Sequence, residues 1–313
     1  MDRVISELQK ANRIVGRSEE LSASLLAVQS EKHLLLEGAV GVGKTTIALA
    51  VASHLGRTFV RIDGDERYTE QKLAGWFDPP LVLSRGYTEE SFIPGPLSTT
   101  MQGGAILLIN ELNRMPEGTQ NVLLSAMDEK TIFIPKFGRV DAQEGFMLIA
   151  TQNPDEYIGT SQLSEALKDR FICINLDYQT EEEEREIVRI KSKCKDERVI
   201  DVAVQLTRLT RSDQEVRRGS SVRGAIDAAD LFSTAYGSFS EEADKWLRCA
   251  RLSFMTKIEL HDYTEDRFIE LLKRLIAKAL ETKSGAEPLT GSSSFKPDID
   301  FALREALKKK SNG

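Results

Sequence analysis

The sequence predicts an α/β fold in which a mostly parallel sheet lies between helices, followed by a smaller all-helical unit. Three observations carry this. Short apolar runs bounded by glycine or polar turns alternate with helical stretches through the first half of the chain, the pattern of strands buried on both faces. The alternation stops near Asp177, and from Thr180 onward only helical periodicity remains. Between the first apolar run and the helix after it lies a glycine-rich turn, residues 38–45.

The elements follow in order. A helix is expected from Ser18, with Ser18 as its cap, Glu19 and Glu20 at the positive end of its dipole, and Leu21, Leu25, Leu26 and Val28 as its apolar face. Residues 33–37 read as a buried strand. Residues 45–55 read as a helix stopped by Gly56, and 58–62 as a strand ending in the acidic turn Asp63-Gly64-Asp65. Residues 74–96 are rich in Gly, Pro and aromatics and read as loop with short elements. Within them Trp76, Phe77 and Tyr87 either line a pore- or partner-facing loop or simply pack. Residues 105–109 form a second buried strand, and 117–128 a helix with Val122, Leu123, Ala126 and Met127 inward. Residues 131–134 and 139–140 pair as a hairpin around Gly138, and 146–150 and 172–176 are further strands. Helices are expected over 181–193, 199–210, 221–235, 241–253 and 265–281. The stretch 283–296 is rich in Gly, Ser and Pro and reads as a linker, with one more amphipathic helix over 298–310. The expected organisation is therefore 1–178, 179–283 and 284–313.

Composition narrows the class. The 313 residues, 41% hydrophobic and 29% charged, suit an ordinary globular protein. A formal net charge of −7 argues against non-specific nucleic-acid binding. Cys173, Cys194 and Cys249 are odd in number and far apart, which suggests reduced, buried or half-buried thiols. His33, His54 and His261 are equally scattered, which argues against a zinc site. No signal-like or membrane-spanning apolar run is seen, so the cytoplasm is the expected location, without membrane insertion.

The chemistry begins at Gly38-Ala39-Val40-Gly41-Val42-Gly43-Lys44-Thr45. This fits the phosphate-loop pattern, with strand before and helix after as that pattern requires. Glycines let the backbone N–H groups converge on one anion, and the following helix aims its positive end there. Lys44 reaches the β- and γ-phosphates, the Thr45 hydroxyl is placed to ligate Mg²⁺, and Thr46 continues the loop. The strand over 105–109 ends in Asn110-Glu111. In phosphate-loop ATPases a carboxylate here supports Mg²⁺, and a following Glu polarises the attacking water. Glu111 holds the second place. Asn110 holds the first, where a neutral amide should weaken Mg²⁺ affinity and slow turnover.

The stretch 92–97 (FIPGPL), then 106–129 (ILLINELNRMPEGTQNVLLSAMDE), then 148–154 (LIATQNP) and 168–171 (KDRF) resembles the MoxR family of AAA+ ATPases, in order and spacing, over about residues 14–235. It looks closest to the branch that includes CoxD-like maturation ATPases. The resemblance implies an AAA+ α/β core, a helical lid, a ring (typically a hexamer) and work as a remodelling or maturation chaperone on a client protein or metalloenzyme. A partner carrying a von Willebrand factor A domain often accompanies it. By the same resemblance, Gly38, Gly43, Lys44 and Thr45 match Walker A, and Glu111 the catalytic Walker-B Glu. Asn110 departs from the usual Asp. Asn153 matches sensor 1, Arg170 the arginine finger, and Arg223 the sensor 2 of the lid. Gly16-Arg17 matches the segment that packs on adenine, with Ile14 and Val15 as contacts. ATP or ADP with Mg²⁺ is the implied ligand. Two rivals stay open: an ATP-gated scaffold that hydrolyses little, which Asn110 motivates, and a nucleic-acid-dependent ATPase, against which the acidic charge weighs.

Overall fold

The computed structural model describes residues 1–154 and 162–281. Met1–Leu280 form one compact unit and Glu281–Gly313 a second, of which only Glu281 is described. The expected linker over 283–296, the helix over 298–310 and the third unit 284–313 lie outside the described residues.

The chain opens with α1 (Asp2–Asn12) and α2 (Ser18–Gln29), then β1 (His33–Gly38), α3 (Lys44–His54) and β2 (Phe59–Asp63). Next come α4 (Glu70–Ala74), β3 (Gly75–Phe77), α5 (Pro79–Arg85), β4 (Phe92–Pro94) and α6 (Pro96–Gln102). The second half of the sheet layer is β5 (Ile106–Asn110), α7 (Glu117–Asp128), the hairpin β6 (Thr131–Ile134) and β7 (Gly138–Asp141), β8 (Met147–Gln152), α8 (Glu165–Lys168) and β9 (Phe171–Leu176). The helical part is α9 (Glu181–Lys191), α10 (Glu197–Ser212), β10 (Val216–Arg218), α11 (Val222–Tyr236), α12 (Ala243–Phe254), β11 (Glu259–Leu260) and α13 (Glu265–Glu281).

Five strands form one parallel sheet in the order β2-β5-β8-β1-β9. Alternate residues leave its two faces. Leu34, Leu36, Ile106, Leu108, Met147 and Ile149 bury against α1, α2 and α3. Leu35, Leu107, Ile109, Leu148 and Ala150 bury on the opposite side with Leu97, Leu123 and Met127. Both faces are dry, so the strands read as continuous apolar runs. The helical part has its own core, in which Phe232 stacks on Trp246 at 4.1 Å between centroids. No helix among the described residues is long and apolar enough to cross a membrane.

The structure departs from the sequence reading in several places. A helix, α1, precedes the first one expected. Ser18 does not cap α2: Arg17 occupies the cap position, and the Ser18 hydroxyl accepts from Gln9 Nε2. Leu26 is exposed, and Ala27 takes the inward place. Cys173 is exposed on edge strand β9, whereas Cys194 and Cys249 are buried. The region after Thr180 also contains one short antiparallel pairing, β10 with β11. Phe77 packs edge-on against Tyr87 and Phe92, while Trp76 and Tyr87 stay exposed.

Candidate functional site

The site lies at the C-terminal ends of the parallel strands, where open α/β sheets bind ligands. The loop after β1 turns into α3 through Gly38, Gly41 and Gly43, all at positive φ. At Gly41 the need is also spatial, because a Cβ there would lie 2.3 Å from Ser221 Oγ. Ser221 occupies the N-cap position of α11, so the helical part abuts the phosphate loop directly. Lys44 is buried, and its ammonium donates to the loop's own carbonyls at Gly38 (2.6 Å) and Ala39 (2.7 Å). A phosphate arriving in the loop offers that ammonium stronger, charged acceptors.

Behind the loop, Asn110 at the end of β5 gathers four elements. Its Oδ1 accepts from Thr45 Oγ1 at 2.6 Å and from Thr151 Oγ1 at 3.0 Å. Its Nδ2 donates to Asp63 Oδ1 at 2.9 Å. The Thr151 hydroxyl in turn accepts from the Glu111 amide at 3.0 Å. The neighbouring strands β8 and β5 are thus tied to the first turn of α3. Glu111 sits in the left-handed region, φ 57 and ψ 52, a strained conformation for a non-glycine residue. Its carboxylate pairs with Arg114 Nε at 2.9 Å. The Arg61 guanidinium beside Asp63, aided by the Asn110 amide, holds the Asp63 carboxyl below the usual carboxylate range.

The sequence-derived residues fall into four places. Gly38, Ala39, Val40, Gly41, Val42, Gly43, Lys44, Thr45, Thr46, Asn110 and Glu111 share this one end of the sheet. Asn153 follows β8 there, buried, with its carbonyl accepting from Asn113 Nδ2 at 3.1 Å. Ile14, Val15, Val42, Thr46, Gln179 and Ile187 line a cleft beside the loop. Gln179 Nε2 donates to the Val15 carbonyl at 2.6 Å and closes that cleft from the helical side. Arg17 ties the same segment to the loop, donating to the carbonyls of Val42 (3.0 Å) and Asp177 (2.5 Å).

Arg170 is elsewhere. It precedes β9, whose Phe171 is level with His33 and whose Leu176 is level with Gly38. The six residues of β9 span about 20 Å, so Arg170 stands at the far end of the sheet from its own loop. There it pairs with Asp128 at 2.6 Å. Arg223 is exposed in the first turn of α11, two residues beyond Ser221.

Sequence reasoning did not single out Asp63, Arg114, Thr151, Gln179 or Ser221. Asp63 was legible only as part of an acidic turn. Its contact with Asn110 exists because β2 and β5 are neighbours, though forty-odd residues separate them in the chain.

The residues fit a magnesium nucleotide. The glycine cradle leaves the loop open to a phosphate, and Thr45, Asn110 and Asp63 present oxygen atoms of the kind a hard divalent cation prefers.

Residues 33–171 match the family model described as AAA domain (dynein-related subfamily). The chain is similar to the gas vesicle ATPase GvpN1 of Halobacterium salinarum, at 33% identity over 245 residues, covering 73% of this chain and 68% of that one. It is similar also to the protein YeaC of Bacillus subtilis, at 29% identity over 247 residues, 70% of this chain and 74% of that one. Among solved structures, a RuvB mutant from Thermotoga maritima shares the fold with a TM-score of 0.51 and 21% identity, covering 76% of this chain and 70% of that one.

Proposed function

The chain belongs to the MoxR family of AAA+ ATPases, and from that premise we propose that it hydrolyses ATP between the subunits of a ring to remodel a client protein. One observation supports this above the others. Thr45, Asn110, Thr151 and Glu111 are joined by hydrogen bonds at the mouth of the phosphate loop.

In this reading the loop amides and Lys44 hold the β- and γ-phosphates, and Lys44 leaves the Gly38 and Ala39 carbonyls to do so. Ile14 and Val15 take the adenine in the cleft beside the loop. The Thr45 hydroxyl proton is committed to Asn110, so its lone pairs remain for Mg²⁺. Mg²⁺ held beside Thr45 and Asn110 would neutralise phosphate charge and orient the transferring group. Glu111 leaves Arg114 and accepts a proton from the attacking water. Asn153 orients that water. Arg170 acts on the nucleotide of a neighbouring subunit, for it stands at the far end of the sheet from its own. Arg223, carried on the helix that abuts the loop, couples the γ-phosphate to movement of a lid formed by the helical part. The boundary after residue 178 is then a working hinge.

A ring of six, a partner with a von Willebrand factor A domain, and the CoxD-like branch with metalloenzyme maturation belong to the same proposal and rest on the family resemblance. Asn110 favours one second reading, a scaffold gated by ATP with little hydrolysis.

ATP turnover with Mg²⁺ separates the two. The wild type should hydrolyse slowly, and Glu111→Gln should lower the rate by about 10²–10⁴-fold, the usual contribution of a positioned general base. Equal rates for the two proteins would favour the scaffold. Stimulation of the wild type by nucleic acid would point to a nucleic-acid-dependent ATPase.

A further inference from the structure

We infer that Asp63 supplies the negative charge of the magnesium–nucleotide site, held there through Asn110, so that the acidic group missing from the end of β5 stands one strand to the side. The inference rests on the ATPase reading and adds a positioning residue to it.

Three lines of argument at the β2–β5 contact support it. First, Asp63 and Asn110 are direct partners in the β2–β5 register, and Asn110 Nδ2 donates to Asp63 Oδ1 at 2.9 Å. A carboxylate can only accept, so Asp63 fixes which way the Asn110 amide points. The carbonyl oxygen is therefore turned toward Thr45 and Thr151, whose hydroxyls must donate to it. Without Asp63 the amide is free to flip, since a hydroxyl accepts as readily as it donates.

Second, the approach is built into the backbone. Gly64 N donates to the Asn110 carbonyl at 2.7 Å. A Cβ on Gly64 would lie 2.1 Å from the Glu111 carbonyl oxygen and 3.2 Å from that of Asn110. Only glycine lets the end of β2 press this closely on the Asn110–Glu111 peptide.

Third, charge explains the asparagine. An aspartate at 110 would set two like charges side by side with no donor between them. With an aspartate already at 63, an amide at 110 keeps one full charge in the pair and gives it a donor. Asp63 also receives Arg61 Nη2 at 2.9 Å. That pair is solvent-exposed, with 40% and 63% of the two side chains accessible, so it is weakly held.

The test is the affinity gained from the metal. The dissociation constant of a fluorescent ATP analogue is measured in EDTA and in Mg²⁺, and the ratio is compared among the wild type, Asp63→Asn, Asn110→Asp and the exchange double variant. Asp63→Asn keeps shape and an acceptor but removes the charge, so a purely structural anchor would survive it. The expected result is a ratio about 10–100-fold smaller in Asp63→Asn, the usual cost of losing an outer partner of a metal site. Asn110→Asp alone should also fall short, and Asp63→Asn/Asn110→Asp should recover the ratio. A wild-type ratio in Asp63→Asn, or a double variant no better than that single one, would overturn the inference. Failure of the wild type to bind the analogue in either condition, or equal binding by Lys44→Ala, would instead sink the ATPase reading and this inference with it.

Discussion

His33 opens β1, and its Nδ1 accepts from the Leu148 amide on the neighbouring strand at 3.0 Å. Only a neutral imidazole can accept there. Burial lowers its pKa from 6.5 to about 4, against a backbone hydrogen bond to Met127 that works in the opposite direction. Because the folded pKa is the lower one, the unfolded chain takes up this proton first as the pH falls. The stability His33 gives is complete above about pH 6.5 and is lost as the pH drops toward 4. His33→Asn keeps an acceptor near Leu148 and removes the titration. Its melting temperature should fall less between pH 7 and pH 5 than that of the wild type, and an unchanged difference would refute this assignment. A pattern of apolar residues marks β1 without difficulty. It does not reveal that the histidine at its edge accepts a hydrogen bond from β8, 115 residues away in the chain.

Among elements, the joint between the sheet and the helical part is held by charge. Glu184, on α9, is 2% exposed. It receives Arg208 at 3.0 Å and Arg211 at 2.7 Å, both from α10. Arg211 also stacks on Tyr178 at 3.9 Å and donates to the Ser220 carbonyl at 2.7 Å. Ser220 leads into Ser221, which lies against Gly41 of the phosphate loop. One buried cluster therefore connects α9 and α10 to the nucleotide site. Glu184→Ala leaves two arginines without their shared acceptor and should cost about 3–5 kcal/mol of stability, read as a lower urea midpoint. By contrast, breaking the exposed Arg3–Glu7 pair, 91% and 65% accessible, should cost about 0–1 kcal/mol. The run Glu181–Glu184 reads in sequence as an acidic helix start favoured by the dipole. That holds for the capping box of Thr180 and Glu183. It does not reveal that Glu184 is buried, because burial depends on what packs over the helix rather than on the helix itself.

For the whole molecule, the sheet places Arg170 and the phosphate loop at opposite ends of adjacent strands. In the proposed reading, a finger at that position would serve a neighbour through a head-to-tail interface, the kind that closes into a ring. Mixing Arg170→Ala with Lys44→Ala subunits should restore ATPase activity that neither variant has alone. Each mixed interface of one orientation then contains an intact loop and an intact finger. No recovery in the mixture, with both variants shown to co-assemble, would remove the acting-across-subunits assignment.

The sequence by itself determined the phosphate loop, the strands that bury on both faces, the hairpin around Gly138 and the change to helices after β9. These are local patterns: residue type, spacing and period fix them before any tertiary contact forms. It also located Asn110, Glu111 and Asn153 at strand ends, and Lys44 and Thr45 at the start of the helix that follows β1, because a parallel sheet puts such ends together. Tertiary structure alone decided the partners. Strand order made Asp63 the neighbour of Asn110, the turn at Gly64 brought them into contact, and the packing of α11 set Ser221 on Gly41. Such contacts join residues far apart in the chain, and no period or local preference encodes which strand lies beside which. The phosphate loop is therefore readable from eight consecutive residues, whereas the charge that supports it became visible only when β2 and β5 lay side by side.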